Sequence, residues 1–219
     1  MWFVGDIHGE YEKYHSLILD MNSSIQLGDV GIGFPEPVED YYTTSCGGVS
    51  YPPQEEPQHR FICGNHDDHK IAIKSKNYLG RFGYLEKEDI FFIGGGYSID
   101  RMYRQEGVTW WEYEELDELE VGACYNLYKE THPRIVCSHE APSIAKYWSL
   151  FYSKRKNKRK PSRTERLLNS LYEYQQPEYW IHGHYHQFYT LKEGRTTFIG
   201  LDELIDGKEE NCVYEIKTG

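Results

Sequence analysis

The sequence predicts an α/β fold with two β-sheets, and three observations carry that expectation. Short apolar runs rich in β-branched and aromatic residues recur along the 219 residues, each closed by a small or polar cluster. Helical patterns lie between several of them, as in layered α/β structures. The last runs follow each other through short turns such as EGR at 193–195, so part of the structure is antiparallel or mixed rather than uniformly parallel.

Taken in order, strands are expected at 2–5 (WFVG), 25–28 (IQLG), 60–64 (RFICG), 90–96 (IFFIGGG), 134–138 (RIVCS), 179–183 (YWIHG), 196–200 (TTFIG) and 212–216 (CVYEI). Their lengths are those of buried strands. Tyr14, Leu17, Ile18 and Met21 recur at i, i+3, i+4 and i+7, which puts a helix at about 10–22. A Glu-rich, mostly exposed helix is expected around 112–120. Leu167, Leu168 and Leu171 place another over 163–174, with Ser162 after Pro161 as its N-cap.

Neither internal repeats nor an interdomain linker interrupt the chain, so residues 1–219 read as a single domain. A chain of this length buries about 70% of its unfolded surface and needs no disulfides. The five cysteines (Cys46, Cys63, Cys124, Cys137, Cys212) are scattered and never form CxxC. That argues against a disulfide framework or a zinc ribbon and for a reducing cytoplasm. The apolar segment after Met1 reaches Asp6 at once, with no room for a signal peptide. No apolar run approaches the ~20 residues of a membrane span. A cytoplasmic protein with no membrane partner is expected.

The net charge of −11 disfavours a general nucleic-acid binder, which needs a basic face. Against that background, residues 154–166 hold eight bases and one acid. We read a basic loop over 153–166, either a solvated segment or a steering element for an anionic substrate. Residues 33–59 contain five of the nine prolines and read as a Pro/Gly-rich insertion loop. Loops of that length in a compact domain are either functional or mobile.

The His, Asp and Asn residues gather just after expected strands. Gly5-Asp6-Ile7-His8-Gly9 follows the first, Gly28-Asp29-Val30-Gly31 the second, and Gly64-Asn65-His66-Asp67 the third. Ser138-His139-Glu140 and His182-Gly183-His184-Tyr185-His186 follow two later ones. In α/β folds, ligands bind outside the carboxyl ends of the strands. Oxygen and imidazole donors without thiolate suit Mn²⁺, Fe, Zn²⁺ or Mg²⁺. Such a set is too large for one ion and sufficient for two that share a carboxylate. Two ions about 3.5–4 Å apart are a device for in-line phosphoryl displacement.

D-x-H, G-D, G-N-H-D, a lone downstream His and G-H-x-H, in this order from Asp6 to His186, resemble the calcineurin-like metallophosphoesterases. GGGYSIDR at 94–101, followed by Trp110-Trp111, is similar to short stand-alone members found in bacteria and phages. The resemblance implies a four-layer αββα sandwich with two mixed β-sheets. It implies that Asp6, His8 and His186 bind a first metal, that Asp29 bridges, and that Asn65, His139 and His184 complete a second site. His66 is then a catalytic group facing the substrate beside Asn65. Two divalent ions are implied as cofactors, with Mn²⁺ the leading expectation and Fe, Zn²⁺ and Mg²⁺ as alternatives. The implied reaction is in-line attack of a metal-bridging hydroxide on a phosphate ester, as phosphatase or phosphodiesterase. A small or nucleotide-type substrate, or a nucleic-acid end, is compatible, and no obligate protein partner is inferred.

One departure matters. In phosphoprotein phosphatases of this superfamily the second motif continues to an Asp-Arg pair, whereas here it reads DVGIG at 29–33. Asp67, with Asp68 as the alternative, is therefore the candidate to orient His66. Arg101, with Arg104 as the alternative, is the candidate to grip the phosphate. Phosphoprotein phosphatase activity and a non-catalytic interaction module are the rival readings. Retention of every ligand position and of His66 argues against the module. His182 and Trp110-Trp111 are weighed mainly as structural residues.

Overall fold

The computed structural model describes residues 1–33, 56–146 and 160–217. Among these, ten strands form two mixed sheets. In the first, β10 (Val213–Glu215) runs antiparallel to β1 (Trp2–Val4), and β2 (Ser24–Gln26) and β3 (His59–Phe61) continue in parallel. In the second the order is β4 (Phe82–Leu85), β5 (Ile90–Ile93), β6 (Ile135–Ser138), β7 (Tyr179–His182), β9 (Thr196–Gly200) and β8 (Tyr189–Glu193). Strands β5, β6, β7 and β9 are parallel, with β4 and β8 antiparallel at the edges.

Period-two alternation sorts the side chains into layers. Phe3, Ile25 and Ile62 from the first sheet meet Ile90, Phe92, Ile135, Cys137, Ile181 and Ile199 from the second, which makes the inter-sheet core. The alternate residues Phe91, Val136, Trp180 and Phe198 face outward. They pack on Cys124 and Tyr128 of α3 (Glu118–Thr131) and on Leu167, Leu168 and Leu171 of α5 (Arg163–Tyr174). On the far side, Val4 and Phe61 cover Tyr14 and Ile18 of α1 (Tyr11–Ile18) and Ala72 of α2 (His69–Ala72). A single turn, α4 (Ser143–Lys146), follows β6. The layers are therefore helix, sheet, sheet, helix, as the resemblance implies. Phe3, Phe91 and Phe198 are fully buried, each contributing roughly 1.5–3 kcal/mol.

All eight expected strands form, and two more were not expected. β8 is an edge strand whose residues alternate between half-buried and exposed, and β4 is half-buried throughout, so neither reads as an apolar run. The helix expected around 112–120 begins only at Glu118. Asp117 Oδ1 accepts from Leu119 N and Glu120 N, and Glu120 Oε2 accepts from Asp117 N, a capping box that fixes the start there. Ser162 caps α5 as expected, its Oγ accepting from Glu165 N at 3.0 Å.

Of the insertion expected at 33–59, residues 34–55 lie outside the described residues, and His59 already opens β3. Of the basic loop expected at 153–166, residues 153–159 lie outside them, and Arg163 to Arg166 belong to α5 rather than to a loop. Among the described residues, no helix is long and apolar enough to cross a membrane.

Candidate metal centre

Parallel strands of both sheets bring their carboxyl ends to one place. Asp6 and His8 follow β1, Asp29 follows β2, Asn65 follows β3, His139 follows β6, and His184 and His186 follow β7. Backbone bonds staple the first two ends together. Ile7 N and His8 N donate to Asp29 O at 3.2 and 2.8 Å, and Gly9 N donates to Val30 O at 2.8 Å. His8, Asp29, His184 and His186 all have left-handed backbone, with φ of 44°, 51°, 68° and 47°. That conformation is uncommon for side-chain-bearing residues and costs on the order of 1–3 kcal/mol each, so surrounding bonds must hold it. Glycine makes room for the carboxylates: a Cβ on Gly64 would overlap Asp29 Oδ1, and one on Gly183 would overlap Asp6 Oδ1.

Seven side chains converge in two groups. In the first, Asp6, His8, Asp29 and His186 each present one donor atom within 4.8 Å of the others. His8 Nε2 lies 3.1 Å from His186 Nε2, which lies 3.1 Å from Asp6 Oδ2. In the second, Asp29, His139 and His184 converge in the same way. His139 Nε2 is 3.3 Å from Asp29 Oδ1, 3.1 Å from His184 Nδ1 and 2.9 Å from Asn65 Oδ1. Asp29 belongs to both groups. Outside contacts choose the tautomers. His139 Nδ1 donates to Leu27 O at 2.9 Å, which leaves Nε2 to face the group. His186 Nδ1 lies 3.2 Å from Glu203 Oε1, which turns its Nε2 inward. Nitrogens bound about 2.1 Å from one ion at a right angle sit about 3 Å apart, so the observed spacings fit ligands of a shared cation.

Charge follows from the same geometry. Burial opposes the Asp29 anion, yet His139, His66 and His8 hold its carboxyl well below the usual range. Burial opposes charge on His139, but Asp29 and Asp6 raise it to about 9. Burial and the neighbouring His139 keep His184 well below the ordinary imidazole value. His186 is held above it by Asp6 and Glu203, against its own burial. Two imidazolium–carboxylate pairs thus stand where cations would neutralise the carboxylates.

A family model described as calcineurin-like phosphoesterase matches residues 1–188. The chain belongs to the calcineurin-like phosphoesterase family. A comparison with curated proteins gives no match. The family's chemistry is metal-dependent phosphoester hydrolysis, and the oxygen and imidazole donors of this chain fit divalent cations.

Beside the donor groups of this phosphoesterase stands His66, half-buried, its ring edge-on to His8 at 5.5 Å. Its backbone N–H donates to Asp29 Oδ1 at 2.8 Å. Burial, reinforced by Arg104, lowers its imidazole to about 4. The expected orienting role of Asp67 is corrected here. Both its oxygens are taken up by backbone N–H groups: Oδ1 accepts from Gly31 and Ile32, and Oδ2 from Val30 and Gly64. Asp67 therefore clamps the Asp29 loop to the Asn65 turn. Asp68 caps α2 through Lys70 N and accepts from Tyr113 Oη, both at 2.8 Å. Arg101 is exposed on the turn Arg101–Tyr103, stacked on Tyr97 at 4.8 Å. The cation at His66 is instead Arg104, with Nη2 3.0 Å from Nε2. Asp100 grips Arg104 at both oxygens, Nε–Oδ1 2.8 Å and Nη2–Oδ2 2.7 Å. His182 is structural: Nδ1 donates to Gly183 O and Nε2 meets the Tyr189 hydroxyl. Trp111 is core.

Reasoning from the sequence missed Ser98, Glu114 and Glu203. Ser98 and Glu203 still obey the strand-end rule, lying just past β5 and β9. Glu203 also lies beyond the matched residues.

Proposed function

We propose that this phosphoesterase hydrolyses phosphate monoesters, using two divalent ions held by Asp6, His8, Asp29, Asn65, His139, His184 and His186. The observation that carries the proposal is Asp29, one carboxylate shared by two donor groups. When bound, the two ions supply Lewis acidity and a nucleophile at neutral pH. Mn²⁺ is the first ion to try, with Fe, Zn²⁺ and Mg²⁺ suited by the same donors.

The chain's own residues do the rest. Arg104, held by Asp100 and by Thr109 O, sets its guanidinium against His66, where a non-bridging oxygen would exchange for one of these contacts. In the proposed reaction neutral His66 donates its one ring N–H to a phosphoryl oxygen or to the leaving oxygen. Two bound divalent cations against the two carboxylates Asp6 and Asp29 would leave a positive site, which favours a dianionic monoester over a monoanionic diester.

A small substrate, up to a nucleotide, fits better than a nucleic-acid strand. A groove of about 1380 Å³, which shares Glu114 with the surroundings of the centre but is lined by none of the seven donors, mixes Lys70, Arg81, Arg101 and Arg163 with five carboxylates. Arg81 is already committed to Glu120 and to two backbone carbonyls. Among the described residues, such a groove makes no continuous cationic track for a phosphodiester backbone. The described cysteines are free, buried thiols, which supports a reducing cytoplasm.

The test is Mn²⁺-dependent hydrolysis of p-nitrophenyl phosphate and of bis-p-nitrophenyl phosphate, with Asp29→Asn as control. Faster monoester cleavage that Asp29→Asn abolishes is expected. Faster diester cleavage would overturn the monoester assignment, and full activity in Asp29→Asn would overturn the two-ion reading.

A further inference from the structure

Asn65 is the one amide in the donor set, and that amide can be inserted two ways. Only Oδ1 can bind a cation; a flipped amide would present Nδ2 hydrogens instead. The structure holds a device that decides the flip. Asn65 Nδ2 donates to Ser98 Oγ at 3.0 Å. Ser98 Oγ has a single hydrogen, and it goes to Glu114 Oε2, while Ser98 N donates to Glu114 Oε1 at 3.1 Å. With its proton committed to a carboxylate, Ser98 can only accept from Asn65. The amide oxygen is left facing His139 Nε2 at 2.9 Å. Asn65, Ser98 and Glu114 are 3%, 2% and 2% exposed, so water does not compete for these bonds. Gly96 keeps the approach open, since a Cβ there would come within 3.3 Å of Asn65 Oδ1 and 3.1 Å of His139 Cδ2.

We propose that Glu114 is a positioning residue for the second metal site, acting through Ser98 to fix the amide of Asn65 with its oxygen toward the cation. The proposal rests on the two-ion reading given above. Glu114 and Ser98 touch neither ion nor substrate; they set hydrogen-bond polarity in a ligand. Partners of this kind commonly change metal affinity by about 10–100-fold.

The experiment is Mn²⁺ titration of the metal-free protein, following the electron paramagnetic resonance of free Mn²⁺ so that both sites are read without turnover. The native chain should take up two ions. Ser98→Ala and Glu114→Gln should each keep one tight ion and weaken the other by about 10–100-fold. The double variant should weaken it no further than Ser98→Ala, because the two residues act in series. Ser98→Thr, which keeps the hydroxyl, should restore the second ion. Thermal melts show whether each variant folds; if Glu114→Gln does not, Ser98→Ala and Ser98→Thr decide the matter. An unchanged second ion in Ser98→Ala, or equal weakening of both ions, overturns the positioning role while the two-ion reading stands. Uptake of fewer than two ions by the native chain overturns that reading, and this inference with it.

Discussion

The guanidinium of Arg104 lies against the imidazole of His66, Nη2 3.0 Å from Nε2 and Nη1 3.3 Å from Nδ1. Asp100 holds the other edge of the same guanidinium in a two-pronged pair, and the pairing draws the Asp100 carboxyl below its ordinary value despite burial. Nη1 also donates to Thr109 O at 3.2 Å, so the guanidinium is held in place beside His66 and a phosphate would exchange for one of these contacts. Arg104→Ala should lower kcat/KM for a monoester by about 10–100-fold, the worth of one charged hydrogen bond of about 1.5–3 kcal/mol. Arg104→Lys should recover only part of that, since an ammonium cannot fill both prongs of Asp100. Metal content should not change in either. Steady-state kinetics with metal analysis checks this; an unchanged kcat/KM in Arg104→Ala would remove Arg104 from substrate binding.

Asp67 answers to a different measurement, because its four backbone bonds make it a clamp. Asp67→Ala would strand N–H groups of residues 30–32 and 64 in a buried place. Unsatisfied buried donors cost about 1–3 kcal/mol each, so a loss on the order of 3 kcal/mol or more in unfolding free energy is expected. Asp67→Asn keeps one acceptor oxygen and should lose less. Urea unfolding of the metal-free variants reads the difference; native stability in Asp67→Ala would show that another contact holds the Asp29 loop.

The clamp also shows where the sequence stopped being legible. Strand runs stood out because both sheets are covered on both faces, so β1, β5, β6, β7 and β9 are largely apolar stretches, while β2 (SIQ) and β3 (HRF) were marked by the apolar residues Leu27, Ile62 and Cys63 that follow them. The strand-end rule then located every donor from Asp6 to His186. Edge strands β4 and β8 lacked that continuity. Adjacency in sequence misassigned Asp67: it neighbours His66 along the chain, but its carboxylate turns toward residues 30–32, which only the folding of β2 beside β3 brings near. Glu114 and Glu203 were invisible for the same reason. A glutamate in an acidic chain carries no signal until the contact it makes, with Ser98 or with His186, is known.

Metal uptake should release protons. Asp29 and Asp6 lift His139 to about 9, and Asp6 and Glu203 lift His186, each against the opposing effect of burial. Both values exceed the roughly 6.5 of a free imidazole, so protonation stabilises the metal-free fold. That contribution is complete below about pH 6.5. For His139 it is lost as the pH rises through about 9. A bound cation needs the same lone pairs, so apparent metal affinity should climb over that window as fold stability of the metal-free protein declines. Calorimetric titration at pH 7 in buffers of different ionisation enthalpy should show net proton release. Release indistinguishable from zero would mean that both rings are already neutral.

Glu203 provides the counterpart to Glu114 on the other ion. Its Oε1 lies 3.2 Å from His186 Nδ1 and its Oε2 3.9 Å from His8 Nε2, so it touches two side chains of the first group. A carboxylate behind a ligating imidazole fixes the ring's tautomer and raises its basicity. Glu203→Gln should therefore weaken the first-site ion by about 10–100-fold and leave the second in place. Ser98→Ala should show the opposite pattern in the same Mn²⁺ titration. Adding His8→Ala to each variant identifies the ion that stays: it should strip the tight ion left in Ser98→Ala and spare the one left in Glu203→Gln. Loss of both ions in Glu203→Gln would instead mean that Glu203 holds the whole cluster together, through the loop after β9, rather than one ligand of it.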